Sequence, residues 1–428
     1  MPQSRRVATP APVLFPEATP STVVISAEGN ILIQIEDPTT RTHHCYRCSR
    51  DVLRSASDYF NVLLDPIKFR EGIAMEARLQ DLTRQYNDPA AIPASELPKV
   101  VAADVGDLPK DCMSAGTVVR LFFKILHDPS TTWPVSRAQS VNLIALLSIV
   151  ADRFSSLKPT AEYLRRQGLE TTLLRDRKSA TPHKIELENR QRLLAGLLFE
   201  FPDWVRQCSA ALIVEGTKRQ TPNISSSVDE GMEGDDALWW RLPGGVEEEL
   251  ACRRDYVLDT LSSIQRHFLN HYIYRQPQCR LGYNSSPQCD SYQLGEMIRF
   301  FCRKGTLRIE SAFDPRPEEL EPYNGNLNDI ISKLKGCPSY QIDSNHTHCG
   351  LRTRLMAILK GPRLPQPSFQ AGICLACWKE DKSKESWLEH PSGGSWLNSG
   401  EPFYGTGCRD HRDAKAMYTA AERDWTPV

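Results

Sequence analysis

Short apolar runs typical of strands, followed by segments with helical spacing, mark the first part of the chain. Residues 31–36 read ILIQIE, in which apolar and polar positions alternate as in a half-buried strand. We expect further strands at residues 22–25, 42–48 and 100–105, and a helical segment at residues 49–64. The pattern therefore predicts a small sheet accompanied by helices.

Later segments follow the spacing of helices. Residues 141–157 carry apolar side chains at i, i+3 and i+4, and residues 247–274 carry a second such stripe. Asp290 is expected to cap the next helix, because Gln293 stands at the capping-box position and apolar residues follow. The sequence thus predicts a mainly helical second half.

The order of these segments resembles the BTB/POZ domain, a protein-interaction fold. The residues that carry the resemblance are ILIQIE, YRCSRDVLRSASDYFNVLL, the FREG of residues 69–72, VVRLFFKILH and VNLIALLSIVADRFSSLKPTAEYL. The second half, with CRLGYNSSPQCDSYQLGEMIRFFCRKGTLRIES and CPSYQIDSNHTHCGLRTRL, looks like the C-terminal region of filamentous-fungal BTB-domain proteins. That second likeness implies no activity.

The resemblance implies an α+β fold, with a small sheet covered by helices. A mainly helical C-terminal region that ends in a Cys/His-rich tail is expected to follow. The expected parts are a disordered arm at 1–21, a BTB/POZ-like domain at 22–170, a helical extension at 171–215, a flexible linker at 216–237 and a helical domain at 238–428.

Composition narrows the function classes. The 428 residues carry 52 Lys and Arg against 53 Asp and Glu, a net charge of -1, which argues against nucleic-acid or anionic-membrane binding. The proline-rich start, residues 1–21, has no apolar core of a secretory signal, and no apolar run approaches a membrane span. We therefore expect an intracellular protein, in the cytoplasm or nucleus, with reduced thiols.

The sharpest chemical motif in the chain is a C-x2-C pair followed by a C-x2-H pair. Its residues are Cys374, Cys377, Cys408 and His411, and residues 378–407 separate the two halves. Four sulfur and nitrogen ligands suit tetrahedral zinc in a closed, structural site. The glycine-rich segment between the halves could not order itself by packing alone, so a metal staple is expected there. The alternative is a set of scattered free cysteines.

A second, weaker metal cluster is predicted from Cys337, His346 and Cys349, with one upstream cysteine, Cys279 or Cys289, as the fourth ligand. The alternative interpretation, which we favour at this point, is that these are buried cysteines and a hydrogen-bonded histidine. A mixed site that pairs Cys349 with the tail cysteines is a further alternative.

Two other pairs have metal-like spacing but favour structural roles. Cys45 and Cys48 stand on opposite faces of a predicted strand, and His267 and His271 lie at i and i+4 on a predicted helix without an evident third ligand. No phosphate-binding loop, nucleophile elbow or dinucleotide motif occurs in the sequence. We therefore predict no catalytic and no cofactor-binding residues, and a protein that is not an enzyme.

The function expected from these observations is a non-catalytic protein-interaction module, an adaptor or scaffold that binds other proteins and forms a homodimer through the BTB-like domain. One alternative is a zinc-containing transcriptional regulator. Another is a substrate adaptor of a cullin-3 ubiquitin ligase, although residues 128–140 (DPSTTWPVSRAQS) lack the acidic residue of that family's hydrophobic-x-Glu motif.

Overall fold

The computed structural model divides the chain into two compact units. The first contains residues 1–132 and 153–156, and the second contains 133–152 and 157–428. The residues that the structure describes are 22–36, 43–105, 108–109, 114–173, 181–217, 237–274, 277–279, 281–282, 284–309, 323–360, 364–397 and 407–426. The predicted arm, Cys112 and most of the predicted linker lie outside them. The predicted domain limits stay a prediction.

A four-stranded sheet forms the first part of unit 1. Its strands are β1 (Thr22–Val24), β2 (Ile31–Glu36), β3 (His43–Cys48) and β4 (Lys99–Val101). They lie in the order β1-β3-β2-β4, with β2 and β3 antiparallel and both outer pairs parallel. The structure thus has a small N-terminal sheet, as the sequence predicts.

The central strand β2 is buried more fully than its alternating pattern predicts. Leu32 packs on one face of the sheet in a cluster with Leu82, Ile92 and Leu97. Ile33, which points to the other face, is also fully buried. Both faces of the sheet are therefore covered at this strand.

The helices of unit 1 are α1 (Arg50–Ala56), α2 (Asp58–Leu63), α3 (Arg70–Gln85) and α4 (Ala115–His127). The predicted helical segment 49–64 is broken at Ser57, whose backbone is extended and whose hydroxyl accepts the N–H of Phe60 at 3.0 Å. The same hydroxyl donates to the carbonyl of Phe154 at 2.6 Å. Ser57 therefore ends one helix and caps the next.

His127, in the last turn of α4, is held as a neutral ring. Its Nε2 accepts the backbone N–H of Ser49 at 2.9 Å, and its Nδ1 lies 2.8 Å from the carbonyl oxygen of Phe123. Burial lowers the pKa of His127 below its usual value. The ring therefore ties α4 to the segment that enters α1.

Unit 2 is built mainly of helices and contains nearly all of α5. Its long helices are α5 (Arg137–Arg153), α6 (Leu157–Arg166), α8 (Pro182–Phe199), α9 (Pro202–Glu215), α10 (Val246–Tyr274), α11 (Ser286–Arg303), α12 (Leu327–Lys335), α13 (Leu351–Leu359) and α17 (Cys408–Tyr418). Shorter elements are α7 (Leu169–Thr172), α14 (Pro367–Gln370), α15 (Leu375–Glu380), α16 (Lys382–Glu385), β5 (Ser395–Leu397) and β6 (Glu422–Asp424). The chain is thus of mixed helix and sheet, mainly helical after its N-terminal sheet.

Helix α10 is the longest described helix, with 29 residues. Its predicted apolar stripe is buried, and so are Glu249 and Arg253 in its first two turns. The indole of Trp425 donates to the hydroxyl of Ser263 at 3.0 Å, so the last described segment also packs on this helix. Among the helices in the described ranges, none combines the length and apolar character needed to cross a bilayer.

Candidate metal centres

The predicted tail ligands come together in the structure. Cys374, Cys377, Cys408 and His411, here called the tail site, place their ligand atoms within 4.8 Å of one another. Cys374 immediately precedes α15 and Cys377 lies in its first turn, while Cys408 begins α17 and His411 is one turn further. Residues three apart share a helix face, so each two-residue spacing turns both ligands the same way. The tail site could hold a metal ion.

The thiols of the tail site differ in their surroundings. Cys377 is buried, and burial raises the pKa of its thiol to about 12, although the guanidinium of Arg412 donates to its sulfur at 3.7 Å. Cys408 is exposed. A cysteine binds a metal ion as its thiolate. A bound cation would therefore have to displace the proton from the thiol of Cys377.

A buried ionic network lies beside the tail site and joins it to α10. Arg253 is 1% exposed and donates to Glu249 Oε1 at 2.7 Å and to Glu385 Oε1 at 3.1 Å. Its guanidinium also donates to the carbonyls of Ala371 and Gly372, at 3.1 and 2.9 Å. One arginine of α10 therefore contacts the segment before α15 and the helix α16 that follows it.

The segment between the two halves of the tail site is better packed than its composition predicts. Trp387 is 1% exposed, with its ring 5.4 Å from that of Tyr418 and 4.7 Å below the guanidinium of Arg253. The backbone N–H of Trp387 donates to Glu249 at 2.9 Å. Packing therefore anchors residues 385–387, whereas residues 388–395 are exposed. The expected metal staple of the whole segment stays a prediction.

The second cluster forms with a different set of ligands. Cys279, Cys289, His346 and Cys349, here called the buried site, also place their ligand atoms within 4.8 Å of one another. The sulfurs of Cys279 and Cys349 lie 3.8 Å apart. The Nδ1 atom of His346 lies 3.5 Å from the first sulfur and 3.7 Å from the second. The buried site could therefore hold a metal ion as well.

Cys337 is not a member of this cluster, which corrects the predicted ligand set. Its side chain is fully buried, its thiol lies 3.5 Å from the carbonyl oxygen of Pro338, and burial raises its pKa to about 11. Cys279 and Cys289 take the remaining positions instead. The mixed site of Cys349 with the tail cysteines is also wrong, since Cys349 lies in the buried site.

The loop before α11 and the helix itself position the buried site. The carboxylate of Asp290 accepts the backbone N–H groups of Gln278 and Cys279, at 2.6 and 2.9 Å. The prediction that Asp290 caps this helix is therefore wrong: α11 begins at Ser286, and Asp290 holds the Cys279 loop instead. At the other half, the hydroxyl of Tyr272 donates to the carbonyl of Cys349 at 3.1 Å.

Electrostatics in the buried site favour a cation. Burial, with the neighbouring Cys349 and Cys279 thiols, raises the pKa of Cys289 to about 12, and burial also raises the pKa of Cys349. Several thiolates packed together repel one another, whereas a divalent ion would neutralise that repulsion. The Nε2 atom of His346 lies 3.2 Å from the hydroxyl of Ser285, so its Nδ1 is the nitrogen that faces the sulfurs.

The sequence held one signal for the buried site. His346 and Cys349 form an H-x2-C half, the reverse of the C-x2-H half of the tail. The other half, Cys279 and Cys289, is separated by nine residues, which is not a zinc-knuckle spacing. Only the fold of the loop before α11 brings these two sulfurs together.

The remaining metal-like pairs lie elsewhere. Cys45 and Cys48 are both buried in β3, as their assignment to strand packing predicts. His267 and His271 lie side by side on α10 with ring centroids 4.2 Å apart, and the Nδ1 of His267 is 3.8 Å from Asp424. Neither pair belongs to a group of three or more metal-ligating side chains among the described residues.

The chain matches no family model, and neither a curated protein nor a solved structure is significantly similar to it. The resemblance to the BTB/POZ domain therefore stays a prediction from the sequence.

Proposed function

We propose that this protein is a non-catalytic protein-interaction module, an adaptor or scaffold, whose second unit is stabilised by two structural zinc ions. The geometry of the buried site carries the zinc part of the proposal. Tetrahedral zinc with bonds of about 2.3 Å to sulfur and about 2.05 Å to nitrogen separates two sulfurs by about 3.8 Å and a sulfur from a nitrogen by about 3.6 Å. The observed separations are 3.8, 3.5 and 3.7 Å.

The number and kind of ligands favour a structural role over a catalytic one. Each site offers four protein ligands, three cysteines and one histidine, and four such ligands complete a tetrahedron. A catalytic zinc keeps one position for water or substrate. Both sites join segments distant in sequence, since Cys279 and Cys349 are 70 residues apart, so an ion would close a long loop.

Zinc content tests this part directly. Elemental analysis of the full-length chain, purified without chelators, is expected to find two zinc ions per chain. Cys289→Ser should remove one of them, Cys374→Ser the other, and the double variant both. Cys302→Ser is the matched control, because Cys302 lies on α11 outside both sites. Wild-type protein without zinc would refute the proposal for both sites.

Exposed apolar side chains in unit 1 support the interaction part. Within residues 62–73, around α2 and the start of α3, four apolar side chains are at least 45% exposed: Val62, Ile67, Phe69 and Ile73. Apolar surface of this kind is typical of protein interfaces. We propose that it mediates self-association of the chain.

Light scattering after size exclusion tests the self-association. The full-length protein is expected to be a dimer, and Ile67→Lys with Ile73→Lys should make it a monomer. Ile309→Lys is the control, because the 73% exposure of Ile309 lies between those of Ile67 (82%) and Ile73 (54%), but Ile309 belongs to unit 2. A wild-type protein that is monomeric across the accessible concentration range would overturn this part and leave the zinc part standing.

A further inference from the structure

The imidazole of His411 has a charged neighbour on the side opposite to a bound metal. His411 is 8% exposed, and its Nε2 lies 3.3 Å from the Oε2 atom of Glu385. The Nε2 atom is fully buried, and the approach to the carboxylate is not aligned as a hydrogen bond. The two nitrogens of an imidazole point away from each other, so a histidine that donates to Glu385 through Nε2 would bind a metal through Nδ1.

Glu385 itself is fixed by its other oxygen. Its side chain is buried, and Oε1 accepts from Arg253 at 3.1 Å and from the backbone N–H of Cys374 at 3.5 Å. The residue after it, Ser386, donates to Glu249 at 2.7 Å. The carboxylate thus contacts both halves of the tail site, the histidine of one and the first cysteine of the other.

We propose that Glu385 is the outer-shell positioning residue of the tail site: it accepts the Nε2–H of His411 and so holds the ring with Nδ1 toward the metal. This inference rests on the proposed zinc function. A carboxylate behind a ligating histidine fixes the tautomer and the orientation of the ring and makes the nitrogen a better donor. Through Arg253, the same carboxylate connects the metal site to α10.

The two sites differ in this respect, which makes the inference specific. Behind His346 of the buried site, the neutral hydroxyl of Ser285 lies 3.2 Å from Nε2, and the exposed carboxylate of Asp343 lies further away, at 3.8 Å. Behind His411, the buried carboxylate of Glu385 lies at 3.3 Å, and no hydroxyl of the described residues stands between them. Changing Glu385 should therefore weaken metal binding at the tail site alone, and outer-shell partners of this kind are worth about 10- to 100-fold in affinity.

One test measures the zinc affinities of both sites in the full-length chain by competition with a chromophoric chelator. Glu385→Gln is expected to lower the affinity for one of the two zinc ions by about 10- to 100-fold and to leave the affinity for the other unchanged. Glu385→Ala should weaken it further, because Gln keeps an acceptor oxygen for Nε2–H. Glu389→Gln is the matched control, a 43%-exposed glutamate four residues away that pairs with Lys382.

A second measurement needs no variant and is not affected by folding defects. In zinc-loaded wild-type protein with ¹⁵N-labelled histidine, long-range ¹H–¹⁵N spectra are expected to show His411 coordinated through Nδ1 with its proton on Nε2. Coordination through Nε2 would overturn the inference, as would Glu385 variants with two unchanged zinc affinities, and both results would leave the structural zinc proposal intact. Absence of zinc from the wild-type tail site would overturn both.

Discussion

Arg253 offers the most demanding test of how unit 2 is held together. It is 1% exposed, and its guanidinium makes five hydrogen bonds: to Glu249 at 2.7 Å, to the carbonyls of Ala371 and Gly372 at 3.1 and 2.9 Å, and to the carbonyl and carboxylate of Glu385 at 3.2 and 3.1 Å. Arg253→Met keeps an unbranched side chain but removes the charge and every one of these donors.

The expected loss in the free energy of unfolding follows from the groups that Arg253→Met leaves without a partner. Glu249 and Glu385 would remain buried without the cation between them, and removing one partner of a buried ion pair costs about 3–5 kcal/mol. Arg253→Lys keeps the charge but has at most three donors for five contacts, so its loss should be smaller, about 1–3 kcal/mol. Adding Glu249→Gln to Arg253→Met should recover part of the loss, because one stranded charge disappears.

The assay is urea unfolding followed by tryptophan fluorescence, at fixed zinc, since a bound ion adds to apparent stability. All eight tryptophans of the chain lie in unit 2, so fluorescence reports on that unit. Arg266→Met is the control: Arg266 is on the same helix, 61% exposed, with one ion pair to Asp259. Arg266→Met should change the free energy of unfolding by no more than about 0.5 kcal/mol. Equal effects of the two substitutions would refute the argument that the buried network stabilises unit 2.

Three further predictions concern other parts of the chain. Cys337→Ser should leave the zinc content at two ions per chain by elemental analysis; a loss of one ion would restore Cys337 as a ligand. The native pKa of His127 lies below its unfolded value of about 6.5, so its stabilising contribution is complete above that pH and is lost as the pH falls toward the native pKa. Urea midpoints by circular dichroism should therefore drop more between pH 7.5 and 5.5 in wild-type protein than in His127→Gln, and equal drops would contradict this. Gly72→Ala should destabilise unit 1 by about 1–3 kcal/mol, since its Cβ would lie 1.9 Å from the carbonyl oxygen of Asp65, whereas Gly295→Ala, with open space around it, should stabilise by about 0.5–1 kcal/mol; thermal unfolding distinguishes the two signs.

The fold was predictable where the apolar pattern is regular. The strand at residues 31–36 and the helix at residues 247–274 have clear periods, and both form within two residues of the expected limits. Helix α3 was not predicted, because few of its side chains are buried, among them Met75 and Leu82, so its apolar period is weak. The spacing of apolar residues therefore reveals a helix or strand only where one of its faces is buried, and an exposed helix such as α3 is missed.

The two candidate sites show the same limit. In the tail site, each pair of ligands is close in sequence and shares one helix face, so spacing alone predicts the set. In the buried site, Cys279 lies in a loop and Cys289 in a helix, separated by nine residues, and Asp290 binds the backbone of the Cys279 loop and so holds the two segments together. A hydrogen bond between a side chain and backbone groups outside its own helix produces no periodic pattern in the sequence, so sequence spacing could not predict it.

Helix α10 acts as a spacer between the two candidate metal centres. Its Arg253 contacts Glu385 beside the tail site, and its Tyr272 contacts Cys349 of the buried site. These contacts are nineteen residues apart on one helix, a separation of about 28 Å. In an unfolded chain, the C-x2-C, C-x2-H and H-x2-C halves are chemically interchangeable, so zinc that arrives early can join the wrong halves and trap the chain. The formed helix keeps those halves out of each other's reach, and refolding yield should therefore be higher when zinc is added after α10 has formed than when it is present from the start.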